Sequence, residues 1–329
     1  MIRAENALRV LMVGRRPSIA LNDLKRYWGS VEVSTGHIIP RRRRYDLVIA
    51  QEPTLRIGAP ALLQSKVSRA VFTCEVHGDY LRPGFLPWKD LAVAGVVLRS
   101  ADIVRAVNRR IAENVKQYGV EHVYVIPSIY VKLDVFKPSI PPEERGLVVL
   151  SASRLVPEKG LELLISAIPL LLRDFPGLEV RVVGDGSEKA RLMGLAKRLR
   201  VDSAVRFYGW VGLDELVRHY NEAAVFVCTS YHEGGPRTVF EAAACLTPTV
   251  STRVGMVDET LRDGESVLLV RERSPELLAE KIAELLSDSA KRAEIAERAR
   301  QVVVKEFEWE KSVKRYAEQI RELVILARH

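Results

Sequence analysis

Apolar positions along this chain follow two alternating rhythms. Short runs of roughly four to eight consecutive apolar residues suit buried strands, and stretches spaced by threes and fours suit helices. LRVLMVG (8–14), VEVS (31–34), YDLVIA (45–50) and AVFTCEVHG (70–78) predict strands, with a helix over LNDLKRYW (21–28). Residues 91–119 predict helix throughout, and VYVIP (123–127) a further strand. The cycle then restarts. GLVVLSAS (146–153), LEVRVVGDG (178–186), AVRFYGW (204–210), VFVCTS (225–230), TPTVST (247–252) and SVLLV (266–270) predict strands. Between them LELLISAIPLLLRDF (161–175), KARLMGLAKRLR (189–200) and LDELVRHYNEA (213–223) predict helices, and 275–326 is largely helical. Strands alternating with helices point to parallel sheets covered by helices.

At 329 residues the chain exceeds the usual limit of one hydrophobic core. Two doubly wound α/β halves in tandem account for the pattern, dividing near residue 142 in the Pro-rich, charged stretch KPSIPPEERG (137–146). In such sheets ligands bind at the carboxyl ends of strands, and a cleft between two such domains is a natural site.

Composition narrows the classes. Apolar residues make up 47% and charged residues 28%, as in an ordinary folded protein. Cys74, Cys228 and Cys245 are odd in number and widely spaced, which fits neither a disulfide framework nor a C-x-x-C metal site, so a reducing cytoplasm is expected. The first residues show no signal-peptide core, and no apolar run approaches the roughly 18 residues of a membrane span. Charge is unevenly placed: residues 1–150 carry 23 Lys/Arg against 14 Asp/Glu, and residues 151–329 carry 27 against 28. A basic half faces an anionic partner; equally, a surface rich in Arg and Glu is a thermophile habit. Both readings stay open.

Chemistry concentrates in YHEGGPRTVFEAAAC (231–245). The strand VFVCTS delivers the chain to Glu233, and Pro236 suits a first helical residue. Gly234 and Gly235 permit close backbone approach to a ligand. The N–H groups of Arg237, Thr238 and Val239 would form an anion site at the helix mouth. A carboxylate only accepts hydrogen bonds, so Glu233 and Glu241, in front of and behind that mouth, suit sugar diols flanking a diphosphate. Taken alone, two acids eight positions apart fit a surface loop and a favourable helix start equally well. Arg154 and Lys159, after the strand GLVVLSAS, would clamp the diphosphate. Gly184 and Gly186 close a turn at another strand end. The turn is not G-x-G-x-x-G, which disfavours a dinucleotide site.

Together SASRLVPEKGLELLISAI, VVGDGSEKARL, VRFYGWV, YNEAAVFVCTSYHEGGPRTVFEAAACLTPTVSTRVG and ESVLLV resemble the retaining glycosyltransferases of family 4, over most of residues 146–311. The resemblance extends more thinly to ADIVRAVNRRIAENVKQYGV, VYVIPSIYVKLDVFKP and EFEWEKSVKRYAEQIREL. It implies the GT-B fold, two Rossmann-like domains facing a cleft. Residues 1–142 would be the acceptor side, 143–311 the donor domain, and helix 312–329 would cross back onto the first. It further implies that Arg154 and Lys159 neutralise the leaving diphosphate. Glu241 would hold the ribose, Glu233 with the backbone from Gly234 to Thr238 the donor sugar, and His77 would lie beside the reacting sugar. Chemistry would retain the anomeric configuration without a metal, and no His/Asp/Glu cluster has metal-ligand spacing. Gly14 ends the first strand, where the family carries a Gly-Gly phosphate loop; here Arg15 and Arg16 follow it. Leu246 stands where the family usually has Gly.

The expected partners are a nucleotide-sugar donor and a glycan or lipid-linked acceptor. Arg15, Arg16, Arg41–Arg44 and GFLPWKDL (84–91) would bring the first domain to an anionic membrane. Nucleic acid is not expected, since no motif for it is present. Two other readings remain: a nucleotide-sugar epimerase of the same architecture, and a nucleotide-sugar binder without transfer.

Overall fold

A computed structural model describes residues 7–15, 18–35, 43–79, 81 and 86–328. The described chain divides into two compact units, residues 1–128 with 310–329, and residues 129–309.

Unit 1 builds its sheet from β1 (Leu8–Val13), β2 (Gly29–Ser34), β3 (Leu47–Ala50), β4 (Val71–Val76), β5 (Ile103–Ala106) and β6 (Val123–Val125). All pairings are parallel, in the order β2-β1-β3-β4-β5-β6. Its helices are α1 (Leu21–Trp28), α2 (Gly58–Ser68), α3 (Trp88–Arg99) and α4 (Arg109–Lys116). Alternate strand residues serve opposite faces. Leu11, Val13, Val48, Ala50, Phe72 and Cys74 pack with Ala61 of α2, Val97 and Leu98 of α3, and Ile111 and Val115 of α4. On the other register Val10, Met12, Leu47 and Ile49 are buried, as are Leu24 and Trp28 of α1.

Unit 2 repeats the scheme with β7 (Val148–Ala152), α5 (Glu162–Asp174), β8 (Glu179–Val183), α6 (Lys189–Arg198), β9 (Val205–Gly209), α7 (Leu213–Glu222), β10 (Val225–Cys228), α8 (Arg237–Ala244), β11 (Thr249–Thr252), α9 (Gly255–Thr260), β12 (Leu268–Val270), α10 (Pro275–Ser287) and α11 (Ser289–Glu306). The strand order is β12-β11-β10-β7-β8-β9. Counted from β7, this is the 3-2-1-4-5-6 order of dinucleotide-binding domains. Val149, Val180, Val182, Val225 and Val227 pack under α5, α6 and α10. Leu150, Ala152, Phe226 and Cys228 pack under α8 and α11. Both faces are therefore buried, which is why these strands read as continuous apolar runs.

From Trp309 the helix α12 (Trp309–Leu326) carries the chain back into unit 1. Trp28 Nε1 donates to Ala317 O (3.0 Å), and the Trp28 and Tyr316 rings lie 5.6 Å apart.

Two expectations change. The helix drawn across 91–119 contains β5, because IVRA continues the apolar run of α3 and hides the break. Asn108 marks the restart, its Oδ1 accepting from Ile111 N–H (2.8 Å) at the cap of α4. The Pro-rich stretch lies inside unit 2, and its Arg145 is buried. That guanidinium donates to the carbonyls of Ile140, Ala223 and Cys245 and to Thr247 Oγ1, anchoring the segment. Leu246 adopts φ +56° just past α8, a left-handed position where glycine is the unstrained choice.

Candidate functional site

In unit 2 the strand order reverses between β7 and β10, so the crevice for a ligand lies beyond their carboxyl ends. The loop after β7 carries Arg154 and Lys159, and the loop after β10 carries Ser230 to Pro236. Lys159 Nζ forms an ion pair with Glu233 Oε1, and Ser230 Oγ donates to the same oxygen (2.7 Å). Arg154 is exposed, and among the described residues its guanidinium has no partner.

α8 begins at Arg237 with Pro236 as its N-cap, one position later than Pro236 as first helical residue would require. Val239 N–H already donates to Pro236 O (3.0 Å), which removes it from the expected anion site. Helix geometry leaves the N–H groups of Arg237 and Thr238 without intrahelical acceptors. Glu241 is buried one turn further in. Its Oε2 accepts from the Tyr220 hydroxyl (3.1 Å) and its Oε1 from Arg237 Nε (2.8 Å). Burial pushes its carboxyl above the ordinary glutamate range, against the opposing influence of Arg237 and the Tyr220 bond. Each oxygen keeps a lone pair, so both can still accept a hydroxyl.

Glycines set these loops by contact. A Cβ on Gly184 (φ +123°) would fall 1.8 Å from Ser153 O, so its first task is to let the β8 turn press against the loop bearing Arg154. A Cβ on Gly235 would lie 3.1 Å from Ile129 Cδ1, and Met256 N–H donates to Gly234 O (3.1 Å).

Sequence reading missed the residue that ties the two loops. Arg273, between β12 and α10, donates to Thr229 O (2.6 Å) and Gly160 O (3.4 Å), and its guanidinium lies 3.5 Å from the Tyr231 ring centroid. Thr229 Oγ1 in turn donates to Lys159 O (2.9 Å). No motif signals Arg273, because its partners, the Thr229 and Gly160 carbonyls, Glu162 (3.5 Å) and Tyr231, are distant in sequence and brought together by the fold.

Gly14 and His77 belong to unit 1. Gly14 follows β1 beside β3, at that unit's own strand reversal, and a Cβ on it would fall 1.7 Å from Gln51 Oε1. His77 follows β4, with Nε2 3.0 Å from Glu75 Oε2. Glu75 is buried; its Oε1 accepts from Arg105 (2.7 Å) and from the Tyr316 hydroxyl (2.7 Å). Burial alone raises this carboxyl, but Arg105, His77 and Tyr316 together hold it well below the usual carboxylate range. Among the described residues no group of three or more His, Cys, Asp or Glu is placed to hold a metal ion.

Two all-parallel, doubly wound units, one with the dinucleotide-domain strand order and paired charges at its reversal point, define a nucleotide-binding α/β protein of GT-B architecture. The family model for glycosyl transferases group 1 matches residues 134–302, and that for a glycosyl transferase 4-like domain matches residues 3–128. The chain belongs to the glycosyl transferases group 1 family. It is 33% identical over 313 residues to the D-inositol 3-phosphate glycosyltransferase of Acidothermus cellulolyticus, covering 87% of this chain and 64% of that one. It is 36% identical over 160 residues to the lipopolysaccharide core biosynthesis glycosyltransferase LpsE of Rhizobium meliloti, covering 49% and 45%. With the GDP-mannose-dependent alpha-(1-6)-phosphatidylinositol monomannoside mannosyltransferase of Mycobacterium tuberculosis it shares 31% identity over 180 residues, 53% of this chain and 47% of that. The chain thus spans about half to two thirds of the length of these relatives. Among solved structures, HepE of Anabaena in complex with UDP-glucose shares the fold with a TM-score of 0.79 at 21% identity, over 96% of this chain and 100% of that one.

Proposed function

We propose that this protein is a glycosyltransferase that moves a hexose from a nucleotide sugar to a glycan or lipid-linked acceptor, with retention and without a metal ion. The reading is carried by the placement of Arg154, Lys159 and Glu233 on the two loops at the β7/β10 reversal of unit 2, with the mouth of α8 alongside. Arg154 and Lys159 neutralise charge as the diphosphate leaves, a contribution made where charge develops in the transition state. Lys159 releases Glu233 in doing so, and Glu233 turns to the hydroxyls of the donor sugar. Glu241 accepts from the ribose, and His77 serves the reacting sugar. The GDP-mannose-dependent activity named for the Mycobacterium tuberculosis relative supports transfer from a nucleotide sugar. The Mycobacterium tuberculosis relative supports an acceptor carrying a lipid.

A thermal-shift screen against UDP-, GDP- and ADP-sugars identifies the donor, because a ligand of the folded state raises its stability. Product analysis with that donor then decides the reaction. Free nucleoside diphosphate released only with acceptor present supports transfer. An isomerised nucleotide sugar, or binding without turnover over a broad acceptor panel, overturns it.

A further inference from the structure

α2, α3 and α4 share one face of the unit 1 sheet, and the outer surfaces of α2 and α3 leave large apolar side chains in solvent. On α2 these are Leu63 (58% exposed) and, one turn on, Val67. On α3, Trp88 (74% exposed), Ala92 and Val96 recur at a spacing of four. Right-handed crossovers from β3 to β4 to β5 place the two helices side by side. Two contacts hold them so: a Cβ on Gly58 would lie 2.9 Å from Val97 Cγ1, and Leu55 N–H donates to Asp90 Oδ1 (2.9 Å). Leu55, which makes that bond, and Trp88, which precedes Asp90 in sequence, are both exposed. Single exposed apolar residues are ordinary, but a contiguous apolar surface rimmed by charge marks an interaction site.

The rim is cationic. Arg56, Lys66, Arg69, Lys89 and Arg99 are exposed around this surface. α2 contains no Asp or Glu, and the single acid of α3, Asp90, already accepts from Leu55. Elsewhere in unit 1 several basic residues have carboxylate partners, as in Arg15–Glu52 (3.2 Å) and Arg43–Glu32 (2.7 Å). Among the described residues none of Arg56, Lys66, Arg69 and Lys89 has one. Of the residues the sequence marked for a membrane, Arg15 and Arg43 are matched by acids and Arg44 is exposed without one among the described residues, while Arg16, Arg41, Arg42, Gly84 and Phe85 lie outside them.

We propose that the α2–α3 face of unit 1 docks on an anionic lipid bilayer, with Leu63, Val67, Trp88 and Val96 entering the interface and the unpaired cations meeting lipid headgroups. Tryptophan suits that depth, with an apolar ring and a polar N–H. The cations add attraction that falls off within a Debye length. Among the described residues no helix is long and apolar enough to cross a membrane, so this contact lies on the surface. Docking does not depend on the proposed transfer reaction, although it would bring the protein to a lipid-linked acceptor.

The test is co-sedimentation of the full chain with phosphatidylcholine vesicles, with and without phosphatidylglycerol. Binding is expected only with the anionic lipid and is lost in high salt. Each neutralised cation lowers the partition coefficient roughly fivefold, so Lys66→Gln/Arg69→Gln lowers it roughly 25-fold. Trp88→Ala lowers it at least about fivefold, whereas Arg262→Gln on unit 2 leaves it unchanged. All these side chains are exposed, and thermal unfolding with and without donor checks fold and donor binding separately. Failure of the wild type to bind anionic vesicles overturns the proposal, as does binding indifferent to both unit 1 variants. Concentration-dependent self-association abolished by Trp88→Ala also overturns it, since the occupant is then a second copy.

Discussion

Lys159 and Glu233 neutralise one another, and this makes the proposed donor site separable by mutation. Their side chains are 17% and 14% exposed, and Ser230 shares the acid oxygen. A charged hydrogen bond contributes roughly 1.5–3 kcal/mol. At about 1.36 kcal/mol per tenfold change, Lys159→Ala should weaken binding of the cognate nucleoside diphosphate about 10- to 150-fold. Folding suffers less, because Glu233 keeps Ser230 and some water: a loss of about 1–3 kcal/mol and a Tm lower by roughly 3–10 °C. Glu233→Gln acts in the opposite sense on the nucleotide. It frees Lys159 from a competing charge, so diphosphate affinity holds or rises up to about tenfold, while the sugar nucleotide loses its advantage over the bare diphosphate. Isothermal titration of both ligands against both variants, at one ionic strength, reads all four numbers. Diphosphate affinity of Lys159→Ala within about threefold of wild type would refute the clamp. So would a Glu233→Gln variant that weakens both ligands equally.

Two further outcomes follow from neighbours of this pair. Arg273→Ala removes donors to Thr229 O and Gly160 O and uncovers Tyr231; differential scanning calorimetry should show a loss of about 1–3 kcal/mol, and donor affinity should fall because the two loops lose their tie. Glu241, raised by burial, takes up a proton at a pH above the ordinary glutamate range; donor affinity should therefore decline on acidification before an unperturbed carboxylate titrates, and Glu241→Gln should flatten that decline. The stability contribution runs the other way, falling as pH rises from the ordinary glutamate value through the raised folded one, so chemical denaturation of Glu241→Gln should depend less on pH there.

The architecture was legible because both faces of each sheet are covered, leaving strands as unbroken apolar runs between amphipathic helices. β5 was not, since four residues of strand adjoin a buried helix with no Gly or Pro to separate them. At the site, Glu233 and Lys159 could be named from loops at strand ends, yet their mutual pairing could not. It depends on β7 and β10 lying side by side although 74 residues separate the partners. Arg273 was invisible for the same reason, and so was Tyr220, whose hydroxyl reaches Glu241 from a neighbouring helix. Leu246 shows the converse: its departure from the family's glycine was visible in the sequence, its left-handed backbone only in the structure.

The return of α12 to unit 1 sets the order in which the molecule can be finished on a ribosome. Trp28 meets its acceptor 289 residues downstream, and Glu75 meets Tyr316 after 241. At roughly 5–20 residues per second, unit 1 stays incomplete for about 12–60 s after those residues emerge. Unit 2 is synthesised whole in the meantime. Unit 1 precedes unit 2 along the chain yet closes after it, with one flank of its sheet open to chaperones until α12 emerges.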